Sequence, residues 1–160
     1  MTGLLTNKVA IVTGAGQGVG EGIARALTDA GAAVVIAARR AENGEPAAAA
    51  LRERGHEASF VRCDVTLKAD VEAAIEHTID THGRLDIVVH NAVSPPGPPG
   101  PVQAVDPDVI TAQIATSTTA SYLFARAAHP HLVANRGTLI LLTSPAGMEG
   151  SGNLPVYATV

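Results

Sequence analysis

Residues 8–20 read KVAIVTGAGQGVG and decide the fold. The run from Lys8 to Thr13 is short, apolar and rich in β-branched side chains, which predicts a buried strand. The glycine-rich segment from Gly14 to Gly20 follows at once and predicts a tight turn. From Val19 to Ala30 apolar side chains recur at helical spacing, and Gly31 can end that helix in the left-handed conformation. The stretch therefore predicts a strand, a turn and a helix.

The same alternation continues through the rest of the chain. Further strands are predicted at Ala33–Ala38, Ala58–Arg62, Leu85–Val89 and Thr138–Thr143, and further helices at Glu45–Arg54, Leu67–Thr81 and from Asp106-Pro107 to His129. The last of these helices is expected to end at His129 because Pro130 is hard to place inside a helix. Residues 144–160 are predicted to be mostly loop. Alternating strands and helices require parallel strands with right-handed crossovers. The prediction is an α/β, Rossmann-like, doubly wound parallel sheet of order 3-2-1-4-5, with ligands at the carboxyl ends of its strands.

Composition limits the function classes. The 160 residues fit one domain, 1–160. A composition with 46% hydrophobic and only 16% charged residues excludes a disordered chain. A net charge of −4 with 11 Lys and Arg argues against nucleic-acid binding. The single cysteine, Cys63, excludes an internal disulfide and a multi-cysteine metal site, and no metal is predicted. Residues 1–8 show no signal peptide and no apolar run reaches about 20 residues, so we expect a cytoplasmic protein without a membrane partner.

The glycine turn suggests a phosphate site. Gly14, Gly18 and Gly20 hold the glycine positions of the pattern T-G-x-x-x-G-x-G, which starts at Thr13. Glycines let the backbone approach a pyrophosphate closely, and the helix that follows presents free N–H groups and a positive dipole end to it. The alternative is an ordinary tight turn, but a position between a strand and a helix favours dinucleotide binding.

The end of the second strand bears on the choice of coenzyme. Folds that prefer NAD place an acidic residue there to bind the ribose 2′-hydroxyl. Here the position near Ala38 holds no carboxylate, and Arg39 and Arg40 follow. Two guanidinium groups are suited to a 2′-phosphate, which favours NADP over NAD. Two solvated surface charges remain the alternative, and Gln17 in the glycine turn is neutral and adds nothing to either case.

Several motifs together resemble one family, the short-chain dehydrogenases/reductases. They are the glycine turn of residues 13–20, Cys63-Asp64-Val65 after the third strand, Asn91-Ala92 after the fourth, and the segment GTLILLTSPAG of residues 137–147. Tyr157 lies 13 positions after Ser144, which is the family's usual interval between its serine and its tyrosine. The resemblance covers essentially the whole chain.

This resemblance implies an oxidoreductase that moves hydride between NADP(H) and a small-molecule carbonyl or secondary alcohol. It implies Tyr157 as acid/base, Ser144 as donor to the substrate oxygen, and Ser117 as a relay residue where the family has asparagine. It places Asp64 and Val65 at the adenine ring. The complete set of coenzyme residues is Thr13, Gly14, Gln17, Gly18, Val19, Gly20, Arg39, Arg40, Asp64, Val65, Asn91 and Ala92. Family members are usually dimers or tetramers, so we expect a homo-oligomer.

The family's chemistry needs a tyrosine with a lowered pKa. Hydride transfer to a carbonyl leaves an alkoxide that must take up a proton. An unperturbed phenol has a pKa of about 10, and lowering it by about 3 units takes about 4 kcal/mol. In the family, a lysine four residues after the tyrosine supplies this together with the positive nicotinamide.

The sequence departs from the family pattern at its end. It stops at Val160, and the lysine of Tyr-x-x-x-Lys would come next. The family runs to about 250 residues, with further strands and a loop over the substrate. We therefore expect the 160-residue chain to be nearly inactive and to associate with itself through the apolar fifth strand. A non-catalytic nucleotide-binding or assembly module is the alternative, and a fragment that binds nothing is a third.

Two further features differ from the family or stand outside its motifs. His90 stands where asparagine is common and Val93 where glycine is common, and we expect His90 to be a hydrogen-bonded structural residue rather than a catalyst. The proline- and glycine-rich loop of residues 93–105 cannot pair in a sheet or continue a helix. We interpret it as a stiff wall or lid near the coenzyme rather than a ligand for an aromatic groove.

Overall fold

The structure is a computed structural model that describes residues 3–97 and 99–159. Met1 and Thr2, on which part of the signal-peptide prediction rests, lie outside the described residues. So do Pro98, in the proline-rich loop, and Val160, the last residue of the sequence.

Five parallel strands form one sheet. They are β1 (Val9–Thr13), β2 (Ala33–Ala38), β3 (Ala58–Arg62), β4 (Ile87–His90) and β5 (Thr138–Leu141). Their order is β3-β2-β1-β4-β5, which confirms the predicted doubly wound topology. β1 and β2 are buried along their whole length because helices cover both faces of the sheet. β5 ends two residues before the predicted Thr143, although Leu142 N–H still donates to His90 O over 3.1 Å.

The described residues form six α-helices, four of which flank the sheet, two on each face. They are α1 (Gly18–Asp29), α2 (Ala41–Glu53), α3 (Lys68–His82), α4 (Pro107–Ile114), α5 (Ala120–Asn135) and the short α6 (Ala146–Glu149). α3 and α5 pack on one face, where Val71 and Phe124 are fully buried, and α1 and α2 pack on the other with Ala24 and Ala48. Within the described part of the chain, none of the helices combines the length and the apolar character that crossing a bilayer requires.

The α1 helix buries only part of the apolar set that predicted it. Ile23 and Leu27 pack against the core as partly buried side chains. Val19 and Ala26 are exposed, Val19 by 68%, whereas Gly20, Ala24 and Thr28 are buried at intervals of four residues. Small side chains face the sheet because α1 lies close to the turn that precedes it. The α3 prediction is confirmed: Val71, Ala74, Ile75 and Thr78, whose helical spacing predicted the helix, are its buried residues.

The predicted end of the long helix at His129 is wrong. The helix runs on through Pro130 to Asn135 and stops only at Arg136, whose φ is +51°. Proline removes one backbone donor, and tertiary packing offsets that loss: Ala128 is fully buried and Leu132 packs against the same core. The Asn135 side-chain amide also donates to Leu85 O, 3.2 Å away, which holds the last turn against the sheet.

The outer strand leaves apolar side chains exposed. Ile140, Leu141 and Leu142 are all exposed at the β5 edge of the sheet. Exposed edge strands with apolar side chains favour association between chains. Self-association of the 160-residue chain stays a prediction.

Candidate active site

A cavity of about 920 Å³ opens at the carboxyl ends of the strands. All but one of the sequence-predicted site residues line it, and the exception, Thr13, is fully buried. The lining residues among them are Gly14, Gln17, Gly18, Val19, Gly20, Arg39, Arg40, Asp64, Val65, Asn91, Ala92, Ser117, Ser144 and Tyr157. The structure thus brings to one cavity residues that are up to 143 positions apart in the chain.

The glycine turn is shaped by close backbone approach. Gly14 has φ +67°, and a Cβ there would lie 2.9 Å from the Cα of Ala92. A Cβ at Gly20 would collide with the Asn91 side-chain amide and the Gly14 carbonyl. Gln17, which precedes α1, makes no side-chain capping bond, so the first N–H groups of the helix remain available to a ligand in the cavity.

Thr13 and Asn91 join β1 to β4 beneath the cavity. The Thr13 hydroxyl oxygen accepts from the backbone N–H groups of Asn91 and Ala92, each at 3.0 Å. The Asn91 side-chain amide donates to Thr13 O at 3.0 Å. These bonds fix the two segments that the glycine turn and the end of β4 present to the cavity.

His90 is buried and hydrogen bonded at both ring nitrogens, as the sequence predicted. Nδ1 lies 3.0 Å from the Thr13 hydroxyl and Nε2 lies 2.9 Å from Thr116 O. Its ring stacks on Phe124 with the ring centres 5.7 Å apart. Burial lowers the pKa of His90, against a smaller opposing effect of the bond to Thr116.

A turn of π-helix, Ala115–Thr119, joins α4 to α5 and carries Ser117. Ser117 O accepts from the Ser121 hydroxyl at 2.6 Å, and Ser121 also lines the cavity. Ser121 was not among the predicted site residues, although it lies one helical turn beyond Ser117. The hydroxyl-rich run of residues 116–119 was the available signal, because such side chains compete for helix carbonyls.

Ser144 and Tyr157 both line the cavity and are half-buried. The Ser144 hydroxyl oxygen accepts from Ala146 N–H at 3.2 Å, so the hydroxyl proton is left to donate elsewhere. Tyr157 begins a short 3₁₀ turn, Tyr157–Thr159, in the segment that follows α6.

The other end of the cavity carries the charged groups. Asp64 accepts from the Thr66 hydroxyl at 2.7 Å and from Thr66 N–H at 3.0 Å. Burial raises the pKa of Asp64, but these bonds and the charges of Arg39 and Arg62 outweigh it and hold the pKa below its usual value. Arg39 and Arg40 are exposed at the cavity mouth. Among residues 3–97 and 99–159, acidic, histidine and cysteine side chains form no cluster of three or more that could hold a metal ion.

The first residues of the proline-rich loop form a wall of the cavity. Val93, Ser94 and Pro95 line it, and Gln113 of α4 holds them from behind. Gln113 is fully buried, and its side-chain amide donates to Ser94 O at 3.0 Å and to Pro95 O at 2.9 Å. Sequence reasoning missed Gln113, since a single glutamine on a helix carries no local signal of burial.

Known proteins resemble this chain in sequence and in structure. L-fucose dehydrogenase from Oryctolagus cuniculus is 38% identical over 153 residues, which are 95% of this chain and 52% of that protein. Cis-4-hydroxycyclohexanecarboxylate dehydrogenase from Sinomonas cyclohexanicum is 36% identical over 152 residues, with 94% of this chain and 60% of that protein covered. The crystal structure of NAD⁺-bound xylitol dehydrogenase superposes with a TM-score of 0.92 at 29% identity, covering 98% of this chain and 60% of that one.

The chain thus spans between 52% and 60% of the length of these relatives. The family model described as short chain dehydrogenase matches residues 8–160, from the first strand of the sheet through the segment that carries Tyr157. On this match, and on the sheet order and cavity described above, the chain belongs to the short-chain dehydrogenase family.

Proposed function

We propose that this chain binds NADP(H) in the cavity and serves an oxidoreductase that moves hydride between that coenzyme and a carbonyl or secondary alcohol. One observation carries the proposal. The glycine turn and the N-terminus of α1, which begins at Gly18, line the same cavity as Ser144 and Tyr157. A diphosphate site and a pair of hydroxyl groups are the two parts that such a reaction requires.

The coenzyme's diphosphate would lie on the N–H groups at the start of α1, where the Cβ position of Gly18 has no other atom within 4 Å. Asp64 offers its second carboxylate oxygen to an adenine amino group, since the Thr66 bonds both go to Oδ1. Asn91 and Ala92 would lie beside the nicotinamide ribose, held by Thr13. Val19, exposed by 68%, would be covered by the bound coenzyme.

The preference for NADP rests on charge. No carboxylate stands at the end of β2 near Ala38, and Arg39 and Arg40 are exposed at that end of the cavity. Arg40 lies 4.0 Å from the Glu42 carboxylate, a contact too long and too exposed to neutralise it. A guanidinium binds a phosphate with two parallel hydrogen bonds, which a ribose hydroxyl cannot match. The NAD⁺ in the xylitol dehydrogenase structure makes NAD the competing coenzyme.

The residues of this chain would then handle the substrate oxygen and its proton. The bound coenzyme supplies or accepts the hydride. The Ser144 hydroxyl, whose oxygen already accepts from Ala146, donates its proton to the substrate oxygen and orients it. The Tyr157 phenol gives the alkoxide its proton in reduction and takes it back in oxidation. Ser117 would hold a water that continues the proton path.

A second candidate is a nucleotide-binding module without turnover. Ser117 has a shorter side chain than the asparagine of the family, and its carbonyl already accepts from Ser121 at 2.6 Å. The shorter side chain weakens the proton relay without affecting coenzyme binding. In that case the same cavity would bind coenzyme and no substrate would be converted.

Binding and turnover separate the two candidates. NADPH fluorescence measures binding, and NADPH consumption with a panel of ketones and aldehydes measures turnover. For the oxidoreductase we expect slow turnover, because the lysine of the family would come after Val160. Tyr157→Phe should abolish that turnover while NADPH affinity changes less than about twofold. Saturable binding without turnover of any substrate supports the module, and the absence of binding refutes both candidates.

A further inference from the structure

His90 lies at a junction of three parts of the fold. It is the last residue of β4, its Nδ1 faces the Thr13 hydroxyl of β1, and its Nε2 faces Thr116 O in the π turn. Thr116 is the neighbour of Ser117, and Thr13 supports Asn91 and Ala92. A single imidazole therefore connects both sides of the cavity floor.

The hydrogen bonds of Thr13 fix the tautomer of His90. A threonine hydroxyl has one proton to donate and two lone pairs to accept with. The N–H groups of Asn91 and Ala92 occupy both lone pairs, each at 3.0 Å. The hydroxyl proton must then point to His90 Nδ1, 3.0 Å away, and Nδ1 must accept it. The ring proton accordingly resides on Nε2 and is donated to Thr116 O.

We propose that His90 is a positioning residue of the candidate active site, which as the neutral, Nε2-protonated tautomer ties the carboxyl end of β1 to the π turn that carries Ser117. The inference rests on the proposed function for its site, but the tautomer can be tested without it. Through Thr13 the ring fixes Asn91 and Ala92, and through Thr116 it fixes the opposite wall. The segment of Asn91 and Ala92 and the opposite wall at Thr116 would border the nicotinamide half of the coenzyme. Arg39 and Asp64 would border the adenosine half.

The surroundings of His90 suit a neutral ring. The groups that face it from β1, the π turn and α5 are the Thr13 hydroxyl, the Thr116 carbonyl and the Phe124 ring, and none of these is charged. A proton on Nδ1 would meet a Thr13 oxygen with no free lone pair. Burial acts in the same direction, since it lowers the pKa of His90.

The first test is a long-range ¹H–¹⁵N spectrum of the 160-residue chain at pH 7 without coenzyme. It distinguishes a protonated from an unprotonated ring nitrogen for each histidine, and His90→Gln assigns the signal. We expect an unprotonated Nδ1 and a protonated Nε2. A protonated Nδ1, as the other tautomer or as imidazolium, overturns the proposal. Failure of coenzyme binding in other experiments counts against the proposed function alone.

The second test separates positioning from general support of the fold. His90→Phe keeps the stack on Phe124 but leaves the Thr13 proton and the Thr116 carbonyl without their partner. We expect it to weaken NADPH binding about tenfold, a change of about 1.4 kcal/mol, while the affinity for adenosine 2′,5′-bisphosphate changes less than about twofold. The glutamine of His90→Gln offers an acceptor to the Thr13 hydroxyl and a donor to Thr116 O. We expect this variant to restore part of the lost NADPH affinity.

The matched control is His129→Phe, at an exposed histidine of α5. We expect it to leave both affinities unchanged. If His90→Phe weakens NADPH and the adenosine fragment equally, or weakens neither, His90 does not position the nicotinamide side and the proposal fails. If His90→Phe does not fold, the ring-nitrogen spectrum of the unsubstituted chain still decides the tautomer on which the proposal depends.

Discussion

The side-chain amide of Asn91 donates to the backbone carbonyl of Thr13 over 3.0 Å, although 78 residues separate the two in the chain. The same amide lies 3.4 Å from Gly14 O. One side chain at the end of β4 therefore holds both the last residue of β1 and the first residue of the glycine turn. This contact explains how the turn keeps its shape without a side-chain cap on α1.

Asn91→Asp tests this contact. A carboxylate has no proton to donate to the two carbonyl oxygens that it would face, so we expect the free energy of unfolding to fall by about 2 kcal/mol. We also expect NADPH affinity to fall, because the glycine turn is released. Chemical denaturation and fluorescence titration measure the two effects. Asn153→Asp, at an exposed residue, is the control, and an equal effect of both substitutions would refute the role of Asn91.

Gln113→Leu tests the wall of the cavity. Without the amide, the carbonyls of Ser94 and Pro95 lose their buried donor, at a cost of about 1 to 3 kcal/mol in unfolding free energy. We expect faster proteolytic cleavage within residues 93–105 under native conditions, because the loop is no longer held to α4. Gln103→Leu, at an exposed glutamine, should leave the cleavage rate unchanged. Equal rates for both variants would show that Gln113 does not hold the loop.

Asp86 makes the free energy of unfolding depend on pH in the acidic range. Burial would raise its pKa, but hydrogen bonds from Arg84, Lys8 and the Val9 N–H outweigh it and hold the pKa at about 2, below the ordinary 3.8. As pH falls, the Asp86 carboxylate takes up a proton at a higher pH in the unfolded chain than in the folded chain. The lowered pKa of Asp86 therefore contributes about 2 kcal/mol to the free energy of unfolding. This contribution is complete above pH 3.8 and is lost as pH falls through 2.

Asp86→Asn should remove this dependence and lower the unfolding free energy at pH 7 by about 3 kcal/mol. Denaturation curves between pH 7 and acidic pH measure both quantities. Asp108→Asn, at an exposed aspartate of α4, is the comparison. An Asp86→Asn variant whose stability follows the same pH profile as the unsubstituted chain would contradict the assignment.

Cys63 should report on unfolding of the core. Burial, together with the nearby charges of Asp70 and Asp64, raises the pKa of its thiol to about 12. Only the thiolate reacts with disulfide reagents, so we expect native labelling to be very slow and to accelerate with denaturant in step with global unfolding. Since this is the single cysteine of the sequence, the release of chromophore from such a reagent follows it directly. Rapid labelling under native conditions would show that the end of β3 opens locally.

Local pattern was sufficient to predict most of the fold. The β-branched run before Gly14 predicted β1, the apolar stripe of Val71, Ala74, Ile75 and Thr78 predicted α3, and strict alternation of elements predicted the sheet order. The first two features depend on neighbours within a few residues along the chain, and the sheet order follows from right-handed crossovers between successive parallel strands. The predicted site residues lie on one cavity because strand ends in a parallel sheet converge at one edge.

The features that sequence did not predict depend on contacts between distant elements. Pro130 lies inside a helix because Ala128 and Leu132 pack against a core that residues far upstream provide. Gln113 is buried because the proline-rich loop folds over it. The π turn at Ser117 places Thr116 O within reach of His90, an interaction across 26 residues. None of these relationships leaves a periodic signal in the sequence.

Binding of NADP(H) by the glycine turn and the arginines after β2 is the proposal on which the others for this cavity depend. Its most direct test is a titration of the 160-residue chain with NADPH and with NADH, repeated with Arg39→Ala/Arg40→Ala. We expect saturable binding of both coenzymes, tighter for NADPH, and a double variant that loses about tenfold in NADPH affinity while its NADH affinity is unchanged. Absence of saturable binding of either coenzyme, or tighter binding of NADH by the unsubstituted chain, would contradict it.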